Sequence, residues 1–459
     1  MKLLALILFL LTCNNMHAQQ VAERLSKAIR LLEHDLQVKH ATVSLYVVNT
    51  KTGQVVFEKN SEVGLAPASC QKVVTSTAAF TLLGKNFRYT TKLAYTGKIE
   101  QGALNGNIAI IGSGDPTLGS WRYPSTHEAI VLANFEKACR EIIPNGINGF
   151  VCTNSGWWGE NSIPDGWIWQ DIGNYYGAGA SILNWRENQY DIILKSGKRI
   201  GDSVIILGTN PGNLYGISFK DELTSAAEGS GDNGYIYLAP QTFKGYLSGT
   251  IPIKENHFII SGTLPDAAGL LRKSLQEKLN VKEPIAQQSS LDSAHLTYFY
   301  SHQSPPLDSI NYWFLKKSIN LYGEALLKTM AHEVTSYGTT DSGVSVIRKF
   351  WASRGIELSS LKIIDGSGLS PGNRVTTHAL VSVLQYAKDQ PWFSSFYYDL
   401  PESNGIKMKD GYINGVRSYT GYIKARDGNQ YTFSFIVNNF DGSPSSIREK
   451  MWKLLDIMK

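Results

Sequence analysis

The chain has 459 residues, of which 42% are hydrophobic and 18% are charged, and its formal net charge is +5. This length exceeds one typical domain and predicts two or three, with enough apolar residues for a real core. The charge is mild and no block of lysine or arginine occurs, which argues against a nucleic-acid partner.

The first 18 residues have the pattern of a signal peptide. The apolar run Leu3–Leu11 follows Lys2, and it is too short to cross a bilayer as a helix. We expect cleavage at or near Ala18 and export to the periplasm, with no integral membrane span in the mature chain. Thr12 fits poorly at the position before the cysteine of a lipoprotein box. Lipid anchoring at Cys13 is therefore the disfavoured alternative to cleavage near Ala18.

The first elements of the mature chain are a helix and a hairpin. Apolar periodicity predicts an amphipathic helix over Val21–Gln37. Alternation predicts a strand over Ala41–Val48, and Gln54–Glu58 follows a turn as its hairpin partner.

A serine and a lysine follow at helical spacing. A turn of small residues and proline leads into a predicted helix whose first turn carries Ser69 and, three residues later, Lys72. Side chains at i and i+3 share a helix face, so a lysine of lowered pKa can take the serine's proton. Alone the motif is weak, because a capping serine and a solvated lysine fit the same spacing.

The middle of the chain predicts an inserted, mostly β region rich in Gly, Trp and Tyr. Its predicted strands are 108–111, 149–153, 190–194, 204–207, 234–238 and 257–261. Four tryptophans here are candidates for stacking on peptide or glycan, although core packing is the favoured interpretation: Trp157, Trp158, Trp167 and Trp169. Cys139 and Cys152 either form a disulfide or remain free thiols, and Cys70 is interpreted as a packing residue.

Two later motifs complete a series. Ser318-Ile319-Asn320 precedes an apolar segment, and Lys409-Asp410-Gly411 lies where a strand is predicted. Strands over 418–425 and 431–438 and a helix over 445–459 close the chain. Because helix and hairpin elements occur at both ends, we expect one sheet shared by the two termini.

The order Ser-x-x-Lys, Ser-x-Asn, Lys-x-Gly is that of the penicillin-interacting serine acyl-transferases. With the segments Ile110–Leu118, Gly166–Asp171 and Asp365–Ser370, the chain resembles the D-alanyl-D-alanine carboxypeptidase/endopeptidase family of class C low-molecular-mass penicillin-binding proteins. The resemblance implies a multidomain α+β fold. Residues 19–90 and 290–459 would form a transpeptidase-like domain, an antiparallel sheet flanked by helices plus a helical cluster, and 91–289 an insertion of two small β-rich domains.

The resemblance also implies the chemistry. The substrates would be peptidoglycan stem peptides, β-lactams would be covalent inhibitors, and no metal or cofactor is implied. The implied roles are nucleophile for Ser69, general base for Lys72, proton relay for Ser318, hydrogen-bond partner of Lys72 and substrate for Asn320, and substrate-binding wall for Lys409, Asp410, Gly411 and Tyr412. The backbone N–H groups of Ser69 and Tyr412 would form the oxyanion hole.

Asp410 departs from the family pattern, which has Lys-Thr-Gly. Its carboxylate would repel the terminal carboxylate of a substrate. Either Asp410 points away and Arg417 binds that carboxylate, or the enzyme prefers cross-links with a different acceptor side, or the site binds and hydrolyses poorly. The alternatives to a peptidase are a β-lactamase or esterase on this scaffold, and a non-catalytic peptidoglycan-binding relic.

Overall fold

The computed structural model describes residues 19–153, 157–159, 161–281 and 295–459. The predicted signal peptide lies outside these residues. Within the described ranges, no helix combines the length and the apolar character needed to span a bilayer. Two units of mutually contacting residues emerge. Unit 1 comprises the described residues up to Leu82 with Asn311–Ser318 and Val344–Lys459, and unit 2 comprises Leu83–Ile310 with Ile319–Gly343.

The α-helices of the described residues are α1 (19–33), α2 (Lys72–Leu82), α3 (Glu128–Ile142), α4 (Trp169–Ile172), α5 (Ala267–Leu279), α6 (Leu307–Lys316), α7 (Asn320–Thr335), α8 (Thr340–Ala352), α9 (Thr377–Lys388), α10 (Phe393–Asp399) and α11 (Pro444–Leu455). The strands are β1 (Thr42–Asn49), β2 (Val55–Lys59), β3 (Thr90–Tyr95), β4 (Lys98–Glu100), β5 (Ala103–Asn105), β6 (Ile108–Ile111), β7 (Ile147–Asn148), β8 (Val151–Thr153), β9 (Gln189–Lys195), β10 (Ile205–Asn210), β11 (Ser218–Ala226), β12 (Asn233–Tyr237), β13 (Lys244–Pro252), β14 (Phe258–Thr263), β15 (Thr297–Gln303), β16 (Leu361–Lys362), β17 (Arg374–Val375), β18 (Glu402–Ser403), β19 (Ile406–Ile413), β20 (Val416–Lys424) and β21 (Gln430–Asn438).

Unit 1 contains an antiparallel sheet of order β18-β19-β20-β21-β1-β2. Strand β1 pairs with β21 along its whole length, from Thr42 opposite Asn438 to Asn49 opposite Tyr431. The prediction of one sheet shared by both termini is therefore confirmed.

Both faces of this sheet are covered, which explains why β1 is apolar almost throughout. Leu45 belongs to the core cluster that includes residues of α1 and α11, whereas Tyr46 and Val48 cluster with Val381 of α9. Alternate side chains of a strand point to opposite faces, so both sets are buried. Complete burial of Phe433 on β21 stabilises the fold by about 1.5–3 kcal/mol.

Packing on the α9 face positions the first motif. Helix α9 contacts β21 and β1, and α2 contacts α9. A short 3-10 turn, Ala68–Gln71, precedes α2 and contacts β19 and β20. This arrangement brings the serine of the first motif against the strand that carries the third motif.

Unit 2 consists mainly of small sheets, of orders β15-β3-β6-β8, β10-β9-β14, β11-β13-β12 and β4-β5-β7. A strand occurs at each of the six positions predicted for the middle region. Helices α3 and α5 pack on each other and were not predicted. The buried residues Val131 and Phe135 of α3 have the i, i+4 spacing that could have indicated this helix.

The fold class agrees with the prediction of a multidomain α+β protein. The predicted domain boundaries near residues 90 and 290 remain a prediction. Cys70, Cys139 and Cys152 are free thiols, which decides the open question about the pair Cys139 and Cys152.

Candidate active site

The proposed nucleophile lies in the 3-10 turn Ala68–Gln71, which leads into α2 at Lys72. The sequence predicted that Ser69 lies in the first turn of an α-helix. In the structure it lies in a tighter 3-10 turn that precedes the α-helix. Ala68 has a φ of 45°, in the left-handed region that non-glycine residues rarely adopt. A Cβ atom added at Gly368 would overlap the Ala68 carbonyl oxygen. The backbone at Gly368 therefore packs directly against the turn that carries Ser69.

Ser69 and Lys72 are in hydrogen-bond contact. The Nζ atom of Lys72 lies 2.9 Å from the Oγ atom of Ser69. Side chains at i and i+3 eclipse in a 3-10 turn, which explains the close approach. Lys72 is fully buried, and its Nζ also donates to the carbonyl oxygen of Ser367 at 2.8 Å. The Phe314 ring is 5.9 Å from this amine. The lysine is therefore held in place beside the hydroxyl.

Asp365 connects the nucleophile turn, Ala68–Gln71, to the loop that follows Asp365 in the chain. Its buried Oδ1 atom accepts hydrogen bonds from the Gln71 side chain at 3.0 Å and from the Gly368 backbone N–H at 2.8 Å. The Asn373 side chain donates to the same atom, and the Ser370 N–H donates to Oδ2 at 2.7 Å. Asp365 therefore joins Gln71 of the nucleophile turn to the backbone of the segment 368–370.

The third motif lies on β19 beside the nucleophile turn. The Sγ atom of Cys70 donates to the Lys409 carbonyl oxygen at 3.2 Å, and Ser418 Oγ on β20 donates to the Pro67 carbonyl oxygen at 2.6 Å. A Cβ at Gly411 would lie 2.7 Å from that Pro67 oxygen and 2.9 Å from the Ser69 backbone nitrogen. Only glycine allows this approach, so the motif requires its glycine.

Asp410 forms ion pairs with two cations. Lys409 Nζ donates to the Asp410 carbonyl oxygen at 2.7 Å and contacts its carboxylate at 3.1 Å. Arg417 Nη2 lies 3.5 Å from the other carboxylate oxygen, and Arg417 Nε donates to the Tyr419 hydroxyl at 2.8 Å. Lys409 and the other contacts hold the pKa of Asp410 below its ordinary value of 3.8. The three alternatives stated for Asp410 remain predictions.

The second motif occupies the connection between α6 and α7. Ser318 has a φ of 58° and belongs to unit 1, the unit that contains Ser69. Asn320 is the first residue of α7 and belongs to unit 2. The Nδ2 atom of Asn320 donates to the Tyr176 carbonyl oxygen at 2.8 Å, which orients the amide within unit 2. Tyr412 on β19 is 47% exposed.

Comparisons with known proteins agree with this architecture. The sequence profile of the D-Ala-D-Ala carboxypeptidase 3 (S13) family matches residues 25–457. The chain belongs to this family. It is 24% identical to a D-alanyl-D-alanine carboxypeptidase from Actinomadura sp. (strain R39), over 92% of this chain and 82% of the relative. It is 22% identical to D-alanyl-D-alanine carboxypeptidase DacB from Haemophilus influenzae, over 87% and 86% of the two chains.

The structural comparison concerns the fold. The crystal structure of penicillin-binding protein 4 from Haemophilus influenzae matches with a TM-score of 0.77 at 20% identity, covering 94% of this chain and 97% of that one. As an S13 peptidase, this chain is a serine-type D-Ala-D-Ala carboxypeptidase of the penicillin-binding-protein fold. The resemblance stated from the three motifs is thereby confirmed.

The four candidate stacking tryptophans of this S13 peptidase differ in exposure. Trp158 and Trp167 are 3% and 7% exposed and belong to the core of unit 2. Trp157 stacks on His332 with ring centroids 3.3 Å apart. Trp169 is 47% exposed and lies 5.9 Å from the Tyr237 ring, so it alone of the four has a largely exposed side chain.

Sequence reasoning missed two contacts of this site. One is the hydrogen bond from Lys72 to the backbone carbonyl of Ser367. Because every residue has a backbone carbonyl, the identity of residue 367 could not have indicated this contact. The other is Gln71, whose side chain bonds to Asp365. Gln71 is fully buried, and no pattern in the sequence around it indicates that burial.

Proposed function

We propose that this enzyme cleaves peptidoglycan stem peptides through an acyl-enzyme at Ser69. The Ser69 Oγ attacks the carbonyl carbon of the penultimate D-Ala, and a C–O bond replaces the C–N bond. The leaving group is D-Ala in a carboxypeptidase reaction, or an amine-bearing partner strand in an endopeptidase reaction. Water then hydrolyses the ester and returns the proton to Ser69.

The observation that carries this proposal is the buried contact between Lys72 and Ser69. The distance of 2.9 Å between Lys72 Nζ and Ser69 Oγ is short enough for the amine, once deprotonated, to remove the hydroxyl proton as a general base. The Ser367 carbonyl restrains Lys72, so little reorganisation accompanies the transfer. Ser318 would relay the proton to the leaving nitrogen, and Asn320 would hydrogen-bond the substrate amide.

The oxyanion would form beside β19. The Ser69 backbone nitrogen lies against Gly411, at the edge of the strand that carries Lys409. We propose the N–H groups of Ser69 and Tyr412 as the donors that stabilise the negative charge of the tetrahedral intermediate. Lys409, with its amine buried, would add positive potential at this wall.

The test uses a pentapeptide that ends in D-Ala-D-Ala, and a cross-linked muropeptide dimer. Wild type, Ser69→Ala, Lys72→Met and the control Ser359→Ala, a change at an exposed serine, are compared. Loss of the nucleophile should lower the rate by at least about 10⁴-fold, whereas Ser359→Ala should retain it. Cleavage by Ser69→Ala at the wild-type rate would refute the proposal.

Labelled penicillin separates the rival functions. Acylation of wild type but not of Ser69→Ala, without cleavage of either peptide, would favour the non-catalytic relic. Rapid release of hydrolysed penicillin with no peptide cleavage would favour a β-lactamase. Cleavage of both peptides, with slow release of the penicilloyl group, is the result that our proposal expects.

We further propose that the enzyme is exported to the periplasm after cleavage of residues 1–18. The charged start and the short apolar run support this proposal. Fractionation of expressing cells and N-terminal sequencing test it. A mature protein that begins close to Gln19 in the periplasmic fraction is expected, and an uncleaved cytosolic chain would contradict the proposal.

A further inference from the structure

The cations next to the proposed nucleophile already hold a carboxylate. Lys409 is 1% exposed and Arg417 is 14% exposed, and both side chains contact Asp410. Asp410 itself is 41% exposed. The Lys409 amine donates one hydrogen bond to the Asp410 carboxylate and one to the Asp410 backbone carbonyl, and Arg417 divides its donors between the Asp410 carboxylate and Tyr419. An internal anion thus occupies donors that would otherwise be open to an anion of a ligand.

This internal anion is close to the reaction site. Asp410 immediately precedes Gly411, and a Cβ at Gly411 would be 2.9 Å from the backbone nitrogen of Ser69. The α-carboxylate of a terminal D-Ala is attached to the carbon next to the scissile nitrogen. It therefore comes near whatever charges border Ser69 when the substrate is bound. Asp410 carries its negative charge at neutral pH, because its pKa is held below the ordinary value.

We propose that Asp410 is a specificity-determining residue that disfavours leaving groups with a free α-carboxylate. The favoured substrates would be acyl-D-Ala amides whose leaving amine carries a carboxamide or no charged group at the adjacent carbon. A ligand carboxylate must compete with Asp410 for Lys409 and Arg417 and also meets its negative charge. The inference rests on the proposed function, since it names the substrate class of the same site.

The first experiment compares two forms of one peptide, an acylated D-Ala-D-Ala with a free carboxylate and the same peptide with a terminal carboxamide. The ratio of kcat/KM for carboxylate over carboxamide is measured for wild type, Asp410→Asn and Asp410→Ser. Asn retains a carbonyl acceptor of similar reach without the charge, whereas Ser has only a shorter, uncharged hydroxyl. Glu222→Gln, which removes an exposed carboxylate paired with Lys220 on β11, is the matched control.

The ratio should be below one for wild type and should rise about tenfold in both Asp410 variants, the size expected for one partly exposed charge. Glu222→Gln should leave it unchanged. A ratio that stays within twofold of wild type in both Asp410 variants would overturn the inference. Equal loss of both activities would also overturn it, because a purely structural role lowers both without changing the ratio.

A second experiment keeps the inference separate from the proposed function. Acylation of Ser69 by benzylpenicillin and by its methyl ester needs no peptide hydrolysis. Asp410→Asn should raise the rate with the free carboxylate relative to the ester by about the same tenfold factor. If neither peptide is cut but this ratio rises, the proposed function fails and the role of Asp410 stands. No acylation by either compound would overturn both.

Discussion

Replacement of Gly411 by alanine tests whether contact between β19 and the nucleophile turn is needed for activity. The added Cβ would lie 2.7 Å from the Pro67 carbonyl oxygen and 2.9 Å from the Ser69 nitrogen. Both are backbone atoms, so they cannot rotate away as a side chain would. The distances fall short of ordinary van der Waals contact by roughly 0.5–0.7 Å, and the strand or the turn must move by that order.

The expected loss follows from this displacement. A misplacement of about 1 Å at a catalytic group lowers a rate by roughly 100-fold. Because the displacement worked out here is below 1 Å, we expect acylation by labelled penicillin to slow by roughly 10- to 100-fold in Gly411→Ala. Overpacking should also lower the free energy of unfolding by about 1–3 kcal/mol, which leaves the protein folded at the assay temperature.

Two controls locate the cause. Gly208→Ala on β10 places a Cβ with nothing within 4 Å and should acylate at the wild-type rate. The Ser418 hydroxyl is the other atom that the Gly411 Cβ would meet. Gly411→Ala combined with Ser418→Ala removes that contact, and Ser418→Ala alone measures the effect of losing the Ser418 hydrogen bond to the Pro67 carbonyl. Recovery in the double variant would show that Ser418 is responsible. An acylation rate within threefold of wild type in Gly411→Ala would refute the reasoning.

Three further predictions concern buried ionisable groups. Burial lowers the pKa of Lys328 from 10.5 to about 8. At a pH between these two pKa values, Lys328 is protonated in the unfolded chain and neutral in the folded protein. The free energy of unfolding should therefore rise with pH across this range, by roughly 3 kcal/mol. Lys328→Met should remove this rise. Burial raises the pKa of Asp115 from 3.8 to about 6, so the folded protein holds the proton across that window while the unfolded chain releases it. Stability should therefore fall as pH rises through the window, and Asp115→Asn should remove the fall. Burial raises the pKa of the Cys70 thiol to about 11, so Cys70 should resist a thiol reagent at neutral pH until the protein unfolds.

Denaturant unfolding at several pH values measures the first two effects, with Lys349→Met as the control at an exposed lysine. The same pH slope in Lys328→Met and in wild type would contradict the first prediction. A slope in Asp115→Asn equal to that of wild type between these pKa values would contradict the second. Mass spectrometry of the labelled native protein measures the third, and rapid labelling of Cys70 would contradict it.

The local sequence was sufficient for most elements and for the enzyme class. A helix and a hairpin predicted at one end of the chain, with a hairpin and a helix predicted at the other, indicated the shared sheet. The three short motifs, in their order, indicated the family because each demands particular side chains. Helices α3 and α5 were missed within the middle region because its many strand-like segments and turns dominated the pattern.

Only the tertiary structure decided the contacts that join distant segments. The Ser367 carbonyl lies beside Lys72 although almost 300 residues separate them, and nothing in either local pattern predicts it. Likewise, sequence reasoning identified Asp410 as unusual but left its orientation open, and the structure pairs it with Lys409 and Arg417. Local patterns follow from backbone sterics and from which face is buried, whereas these contacts depend on how strands and loops pack after the chain has folded.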